Sequence, residues 1–374
     1  MKKKIPVFDI KLNKSEKKYA LECLKTSQIG QGRFIKKFEN KFSKYVNCKY
    51  GVTTTSGTTA LHLACSTLNL KKNDEVLISS STNMACAFSV EYCGAIPVPI
   101  DIEMNTWQLN VKDLEKKITK KTKAIMVVHL FGQAVDMDPV LKIAKKYKLK
   151  IIEDCAESHG VEYKGRKVGS MGDIGVFSFF SNKTITCGEG GMIVTNNKKL
   201  AVRASILKNL AYGKKNRFMH SDIGFNYRLS NLSAAIGLGQ LENINSKLKE
   251  KKRIYLRYKK KLKNISGIKI PIIKKHTTNF IMWVFNVYLD KNFPISRDKL
   301  IKILDKNGVE TRNAFVPINK QKVLRQKYKI YKKYNCVNAN YIMKKGFYLP
   351  SGNNITNKQI DKICKIISDT ASKI

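Results

Sequence analysis

Between residues 74 and 196 the chain repeats one pattern. A short run of apolar, often β-branched positions is followed by a stretch whose apolar residues recur every three to four positions. The runs are "DEVLISS" (Asp74–Ser80), "AIPVPID" (Ala95–Asp101), "KAIMVVHLFG" (Lys123–Gly132) and "KIIED" (Lys150–Asp154), each bounded by polar residues or glycine. Segments such as "DPVLKIAKKYK" between them have helical spacing. Short strands alternating with helices predict an α/β fold with a largely parallel, helix-covered sheet. Two further strands, "GVFSFF" and "GGMIVTN", follow, with a loop containing Lys183 between them.

Upstream, Ser15–Thr26 reads as a short helix with Tyr19, Ala20, Cys23 and Leu24 on one face. After the loop "SQIGQGR" a second helix carries Phe34, Ile35, Phe38, Phe42 and Tyr45. Beyond residue 245 the texture changes. "NSKLKEKKRIYLRYKKKLKN" predicts a long basic helix with Ile254, Tyr255, Tyr258 and Leu262 on one face and its lysines on a solvated side. "FNVYLD", the helix "SRDKLIKILDKNG", "GVETRNAFVPI" and a last helix over Asn357–Ser372 predict a smaller α+β domain. The expected division is a large domain over residues 1–245, including the N-terminal helical segment, and a small one over 246–374.

The 374 residues, 43% hydrophobic, are enough for a large core and more than one domain. The longest apolar runs, such as "AIMVV", fall far short of the roughly 18 residues of a membrane span. The start "MKKKIPVFDI" has no apolar stretch of the signal-peptide kind. A soluble, cytoplasmic protein is expected. The nine cysteines form no Cys-x-x-Cys pair, which points to reduced, mostly buried thiols. The five histidines make no metal-binding spacing, so no metal is expected. Charge is the loudest feature: 71 Lys and Arg against 28 Asp and Glu, a formal +43. The lysines are spread along the chain, and isoleucine and asparagine are abundant too, as in chains from AT-rich genomes. Zinc-finger spacing, RNP-like motifs and basic zippers are missing, so no nucleic-acid partner is expected. A basic surface does favour a phosphate-bearing small molecule.

Four segments carry chemistry. In "TTSGTTALHLA" a Gly57-Thr58 turn opens a helix, where free backbone N–H groups beside a hydroxyl make a phosphate seat; the plainer alternative is Thr58 as a helix cap. In "IIEDCAESHG" Asp154 closes a strand, where ligand groups sit in open α/β sheets, and a carboxylate there can keep a pyridine nitrogen protonated; the alternative is a cap or an ion pair. In "FSFFSNKTITCGEGGMIVTN" Lys183 stands between Phe177, Phe179 and Phe180 and the glycines 188, 190 and 191. Aromatic burial lowers a lysine's pKa and makes its amine a better nucleophile toward an aldehyde. The glycines let the backbone approach a flat cofactor, and Ser178 can add a hydroxyl to a phosphate site. In "GFNYRLSNLSAAIG" Asn226 and Arg228 precede an apolar helix.

In this order and spacing the four segments closely resemble the DegT/DnrJ-type sugar aminotransferases, which are pyridoxal-phosphate enzymes of fold type I. The resemblance runs over nearly the whole chain, through "GRFIKKFENKF", "VHLFGQAVDMDPV" and "GVETRNAF". It implies a three-layer αβα large domain around a mostly parallel mixed sheet. It implies Lys183 as the lysine that joins the cofactor's aldehyde, and Asp154 as the partner of the pyridine nitrogen. Gly57, Thr58 and Ser178 would hold the phosphate, and Glu157 would approach the ring hydroxyl. Asn226 would reach the phosphate from a second subunit, which implies a homodimer. Arg228 and Arg312 would bind the donor's carboxylate or the substrate's phosphates. The segments "TWQLN", "NKTITCGEGGM" and "GFNYRLSN" are most similar to the GDP-perosamine synthase branch. That implies transfer of the amino group of L-glutamate to C4 of a GDP-linked 4-keto-6-deoxy sugar, on the way to O-antigen. A dTDP- or UDP-linked keto sugar, aminated at C3 or C4, and a non-catalytic regulator of the same fold are the alternatives. One departure stands out. Where the family places an aromatic residue over the cofactor ring this chain has Asn83, so either that amide or Met84 would cover the ring face, or the cofactor would lie differently.

Overall fold

The apolar runs of the first half pair into one seven-stranded sheet. A computed structural model describes residues 4–213, 215–220 and 222–372. The strands are β1 (Tyr50–Thr54), β2 (Glu75–Ser79), β3 (Ile96–Ile100), β4 (Thr122–Val128) and β5 (Lys150–Asp154). A short hairpin, β6 (Glu162–Tyr163) and β7 (Arg166–Lys167), precedes β8 (Ile174–Ser178) and β9 (Gly191–Thr195). The order across the sheet is β1-β9-β8-β5-β4-β2-β3. Only β9 runs against its neighbours; the pairs β8/β5, β5/β4, β4/β2 and β2/β3 are parallel. Alternate residues of these strands enter two cores. Leu77, Val98, Ile125, Ile151 and Phe177 face one, and Ile78, Met126, Ile152, Val176 and Ile193 face the other. A strand's period of two makes this a buried sheet between helical layers, the α/β architecture expected.

The strand β1 was not legible, because "YGVTT" has no apolar run. It is held instead by polar bonds: buried Thr53 donates from its N and its Oγ1 to Glu39 Oε1 (2.9 Å each), and Lys208 Nζ binds Glu39 and the Thr53 carbonyl.

The last third builds β10 (Ile268–Lys269), β11 (Thr277–Asn279), β12 (Phe285–Leu289), β13 (Arg312–Asn313) and β14 (Gly346–Leu349). Four of them form an antiparallel sheet in the order β10-β12-β14-β13, while β11 joins the β6–β7 hairpin. The helices Ile244–Leu262, Arg297–Lys306 and Asn357–Ala371 pack around a third core with this sheet. Ile254, Tyr255, Tyr258 and Leu262 are buried, as their spacing predicts. Lys251 departs from the expected solvated side: it is 3% exposed and its Nζ donates to the carbonyls of Trp283 (2.9 Å) and Ser351 (2.6 Å). Those two carbonyls give the ammonium its partners, while burial lowers its pKa to about 7. No helix among the described residues is long and apolar enough to cross a membrane.

Candidate active site

The carboxyl edge of the parallel strands gathers polar groups from four loops. At the first, the helix Gly57–Thr67 begins with a reciprocal cap. Ser56 Oγ accepts from Thr59 N (3.1 Å) and Thr59 Oγ1 accepts from Ser56 N (2.9 Å). Ser56, not Thr58, is therefore the cap. The Gly57 and Thr58 amides and the Thr58 hydroxyl keep no protein partner among the described residues, so the helix start can take an anion. A β-carbon on Gly57 would come within 2.7 Å of Ser178 Cβ and 2.9 Å of Ser178 Oγ. Glycine is what lets the Ser178 hydroxyl, at the end of β8, meet this helix start.

Asp154 closes β5, in register with Val128 of β4. It is 5% exposed. Its Oδ1 accepts from Ala156 N (2.9 Å), and its Oδ2 accepts from the thiol of Cys86 (3.0 Å). Its neighbour Glu153 points to the opposite side. There it accepts from His129 Nε2 (3.1 Å) and from the amides of Gly169, Met171 and Gly172. Burial would raise the Glu153 carboxyl, but the bonds from His129 and from the Gly169 and Gly172 amides hold it below its usual range. The pair fixes the strand end on which Asp154 is presented.

The third loop, between β8 and β9, carries Lys183. Its base is closed by Phe179 N to the Gly190 carbonyl (2.8 Å) and Cys187 N to the Phe179 carbonyl (3.0 Å). Its tip is tied from the last third of the chain, where Trp283 Nε1 donates to the Asn182 carbonyl (2.9 Å). The Lys183 side chain is 11% exposed, with Nζ 3.9 Å from Glu157 Oε1. Burial drives the lysine pKa down, and the charges of Glu157 and Asp154 oppose that. Glu157 is also buried, which pushes its carboxyl up to about 7 although Lys183 pulls the other way. Glu157 Oε2 accepts from Phe131 N (3.0 Å). Phe131 turns that amide inward by taking a left-handed backbone conformation, φ 55°, and its ring stacks between Trp283 and Phe315 with 11° between the planes on each side.

Gly57, Thr58, Asn83, Asp154, Glu157, Ser178 and Lys183 all line one cavity of about 470 Å³. Three residues expected at the site are not on it. Asn226 is exposed, in an isolated bridge with Asn209. Arg228 donates from Nη1 to Asn209 Oδ1 (2.7 Å) and has no acidic partner among the described residues. Arg312, exposed, is paired with Glu310 (2.5 Å). On the ring-face question, Asn83 stands at the cavity with its Oδ1 accepting from Ala85 N (2.9 Å), whereas Met84 packs against a core. The sequence reading missed Thr82, Trp283, Phe315 and Tyr348 on the cavity wall, and Cys86 behind Asp154. Trp283, Phe315 and Tyr348 lie a hundred residues or more beyond Lys183 in the chain, so no local spacing links them to it. Cys86 stands 68 residues before Asp154 in the chain, so no local spacing links these two either.

The cavity thus offers an anion seat at one helix start, a buried carboxylate at a strand end, and a desolvated amine beside a second carboxylate. That set fits pyridoxal 5′-phosphate, which presents a phosphate, a ring nitrogen, a ring hydroxyl and an aldehyde. Residues 11–368 match the family described as "DegT/DnrJ/EryC1/StrS aminotransferase family". The chain is 42% identical over 320 residues to a GDP-perosamine synthase of Caulobacter vibrioides, covering 84% of this chain and 85% of that one. It is 39% identical to a GDP-perosamine synthase of Escherichia coli O157:H7, with 98% of each covered. Among solved structures, that of S. venezuelae DesV in complex with a ketimine intermediate superposes with a TM-score of 0.92 at 27% identity over 100% of both chains.

Proposed function

Because this chain belongs to the DegT/DnrJ/EryC1/StrS family of pyridoxal-phosphate-dependent aminotransferases, we propose that it moves the amino group of L-glutamate to C4 of a GDP-linked 4-keto-6-deoxy sugar. The observation that carries the reading is the meeting of Lys183, Glu157 and Asp154 with the Gly57–Ser178 seat in one cavity. The likeness to two GDP-perosamine synthases supports the choice of nucleotide and ring position.

In this reading the Gly57 and Thr58 amides and the Thr58 and Ser178 hydroxyls bind the phosphate, which the positive end of the helix favours. Bound pyridoxal phosphate supplies an electron-accepting ring next to the carbon whose nitrogen is exchanged. Asp154 would keep the proton on the ring nitrogen. Glu157 would approach the ring hydroxyl, and Asn83 would stand beside the ring. Lys183 Nζ, kept largely out of water, would take the proton from the donor's α-carbon and deliver it two atoms along, to the carbon that was the cofactor's aldehyde, and would run that transfer in reverse on the sugar side. Trp283, Phe315 and Tyr348 exclude water from that amine.

Asn226 and Arg228 serve the cavity of a second copy, so the working unit is a homodimer. Their position off this chain's own cavity and the exposed Phe218, Met219 and Ile223 nearby in sequence support it. Arg228, free of any acid among the described residues, and Arg312 bind the carboxylate or phosphates of the two substrates. We take residues 1–245 as the cofactor-binding domain and 246–374 as the small one. The nine free cysteines support action in a reducing, cytoplasmic compartment. The test is a panel of GDP-, dTDP- and UDP-linked keto sugars incubated with glutamate and read by mass. A gain of amine for ketone on the GDP sugar is expected; amination of only dTDP- or UDP-linked sugars, or of none, overturns the assignment.

A further inference from the structure

The Asp154 carboxylate is gripped on both oxygens by groups of the protein. One grip is backbone, Ala156 N on Oδ1; the other is a side chain, Cys86 Sγ on Oδ2 at 3.0 Å. Cys86 sits in the first turn of the helix Ala85–Glu91 and is 0% exposed. Behind it, Thr82 Oγ1 lies 3.3 Å from the same sulfur, and Thr82 also lines the cavity. A thiol has one weak donor and the carboxylate has only acceptors, so the direction of the bond is fixed: S–H donates. We infer that Cys86 is a positioning residue, a thiol donor that fixes the rotation of the Asp154 carboxylate toward the ring nitrogen of the cofactor.

Each carboxylate oxygen has two acceptor directions. With one used on each by Ala156 and Cys86, one direction on each oxygen is left, and Asp154 lines the cavity. Without the thiol, only Ala156 N limits rotation about the Asp154 side chain. Burial, and then the Asp154 charge, push the Cys86 thiol well above its ordinary range, so the donor proton stays on sulfur. The competing account is that Cys86 merely fills space, as buried cysteines commonly do. It makes no use of the oxygen only 3.0 Å away.

The inference rests on the role of Asp154 proposed above, and the test separates the two. Cys86→Ala removes the donor; Cys86→Ser keeps one. Titration with pyridoxal phosphate should find Cys86→Ala about 10-fold weaker, the size of one hydrogen bond to a charged group, and Cys86→Ser within about 3-fold of the parent. Turnover by Cys86→Ala should fall with the KM for glutamate unchanged. A serine variant as impaired as the alanine one, or an alanine variant equal to the parent, overturns the inference. A second arm needs no cofactor. The S–H stretching band of Cys86, isolated as the infrared difference between parent and Cys86→Ala apo-proteins, should move to higher frequency on Asp154→Asn, because an amide is the weaker acceptor. An unmoved band overturns the thiol–carboxylate bond. A parent that takes up no pyridoxal phosphate sinks the functional reading instead, and the infrared arm still decides the contact.

Discussion

The indole ring of Trp283 covers the amine of Lys183, with Nζ 4.0 Å from the ring centroid, and the same indole's N–H holds the carbonyl of Asn182, the residue before that lysine. One side chain from the last third of the chain therefore both shields the lysine and sets the loop that carries it. Trp283→Phe keeps an aromatic face and loses the hydrogen bond. Its expected stability cost is about 1 kcal/mol, a fall in melting temperature of roughly 2 °C for a chain of this size. Turnover should fall by about 10-fold as the loop loosens. Melts and steady-state rates check both numbers; an unchanged rate would show that the loop needs no such tie.

The Lys183 amine makes no hydrogen bond among the described residues, and its closest acid, Glu157, is 3.9 Å away. Removing it should cost little fold and all of the chemistry. Lys183→Ala is expected to melt near the parent, while glutamate-dependent transamination drops by at least about 10³-fold. Borohydride reduction of the parent with bound pyridoxal phosphate should label the peptide containing Lys183, read by mass. Labelling at another lysine would move the site.

Glu157, with a carboxyl pushed up to about 7 by burial, makes a prediction about pH. A raised folded pKa means that the protein bears no penalty below the unfolded value near 4.5. The penalty then grows as pH rises, until the folded carboxyl ionises near 7. By linkage this amounts to roughly 3 kcal/mol. Glu157→Gln keeps an acceptor for Phe131 N and carries no charge. The apo-variant is expected to match the parent at about pH 5 and to melt several degrees higher at about pH 8. A difference that is the same at both pH values would sink the assignment of this titration.

Gly57→Ala tests the anion seat. The new methyl would press on Ser178 Cβ and Oγ, at about 1–3 kcal/mol for overpacking, and displace the hydroxyl from the helix start. Affinity for pyridoxal phosphate is expected to fall by about 10- to 100-fold, measured by absorbance titration, while pyridoxal without its phosphate should bind both proteins alike. Equal losses for the two ligands would place the phosphate elsewhere.

Local periodicity carried most of the fold. Short apolar strands alternating with amphipathic helices led to the parallel sheet because a sheet buried on both faces has to be apolar at consecutive positions. β1 escaped this reading because its burial is satisfied by the Glu39–Thr53–Lys208 bonds rather than by apolar side chains. On the long helix, Lys251 looked like its solvated neighbours and differs only in the two carbonyls that the fold leaves beside it. Neither partner lies within one turn of the lysine, so no spacing could reveal them.

The sequence by itself determined the chemical types at the site and the chain positions that bear them. An amine among aromatics and glycines, a carboxylate at a strand end and an amide-rich helix start are local facts, readable wherever backbone and near neighbours set the chemistry. Tertiary structure decided what those groups meet. It brought Trp283 over Lys183, seated the Cys86 thiol against Asp154, closed Gly57 onto Ser178, and left Asn226, Arg228 and Arg312 off this chain's own cavity. Such encounters depend on how sheet and helices pack across many tens of residues or more, and packing is a property of the whole chain in space that no short window of sequence contains.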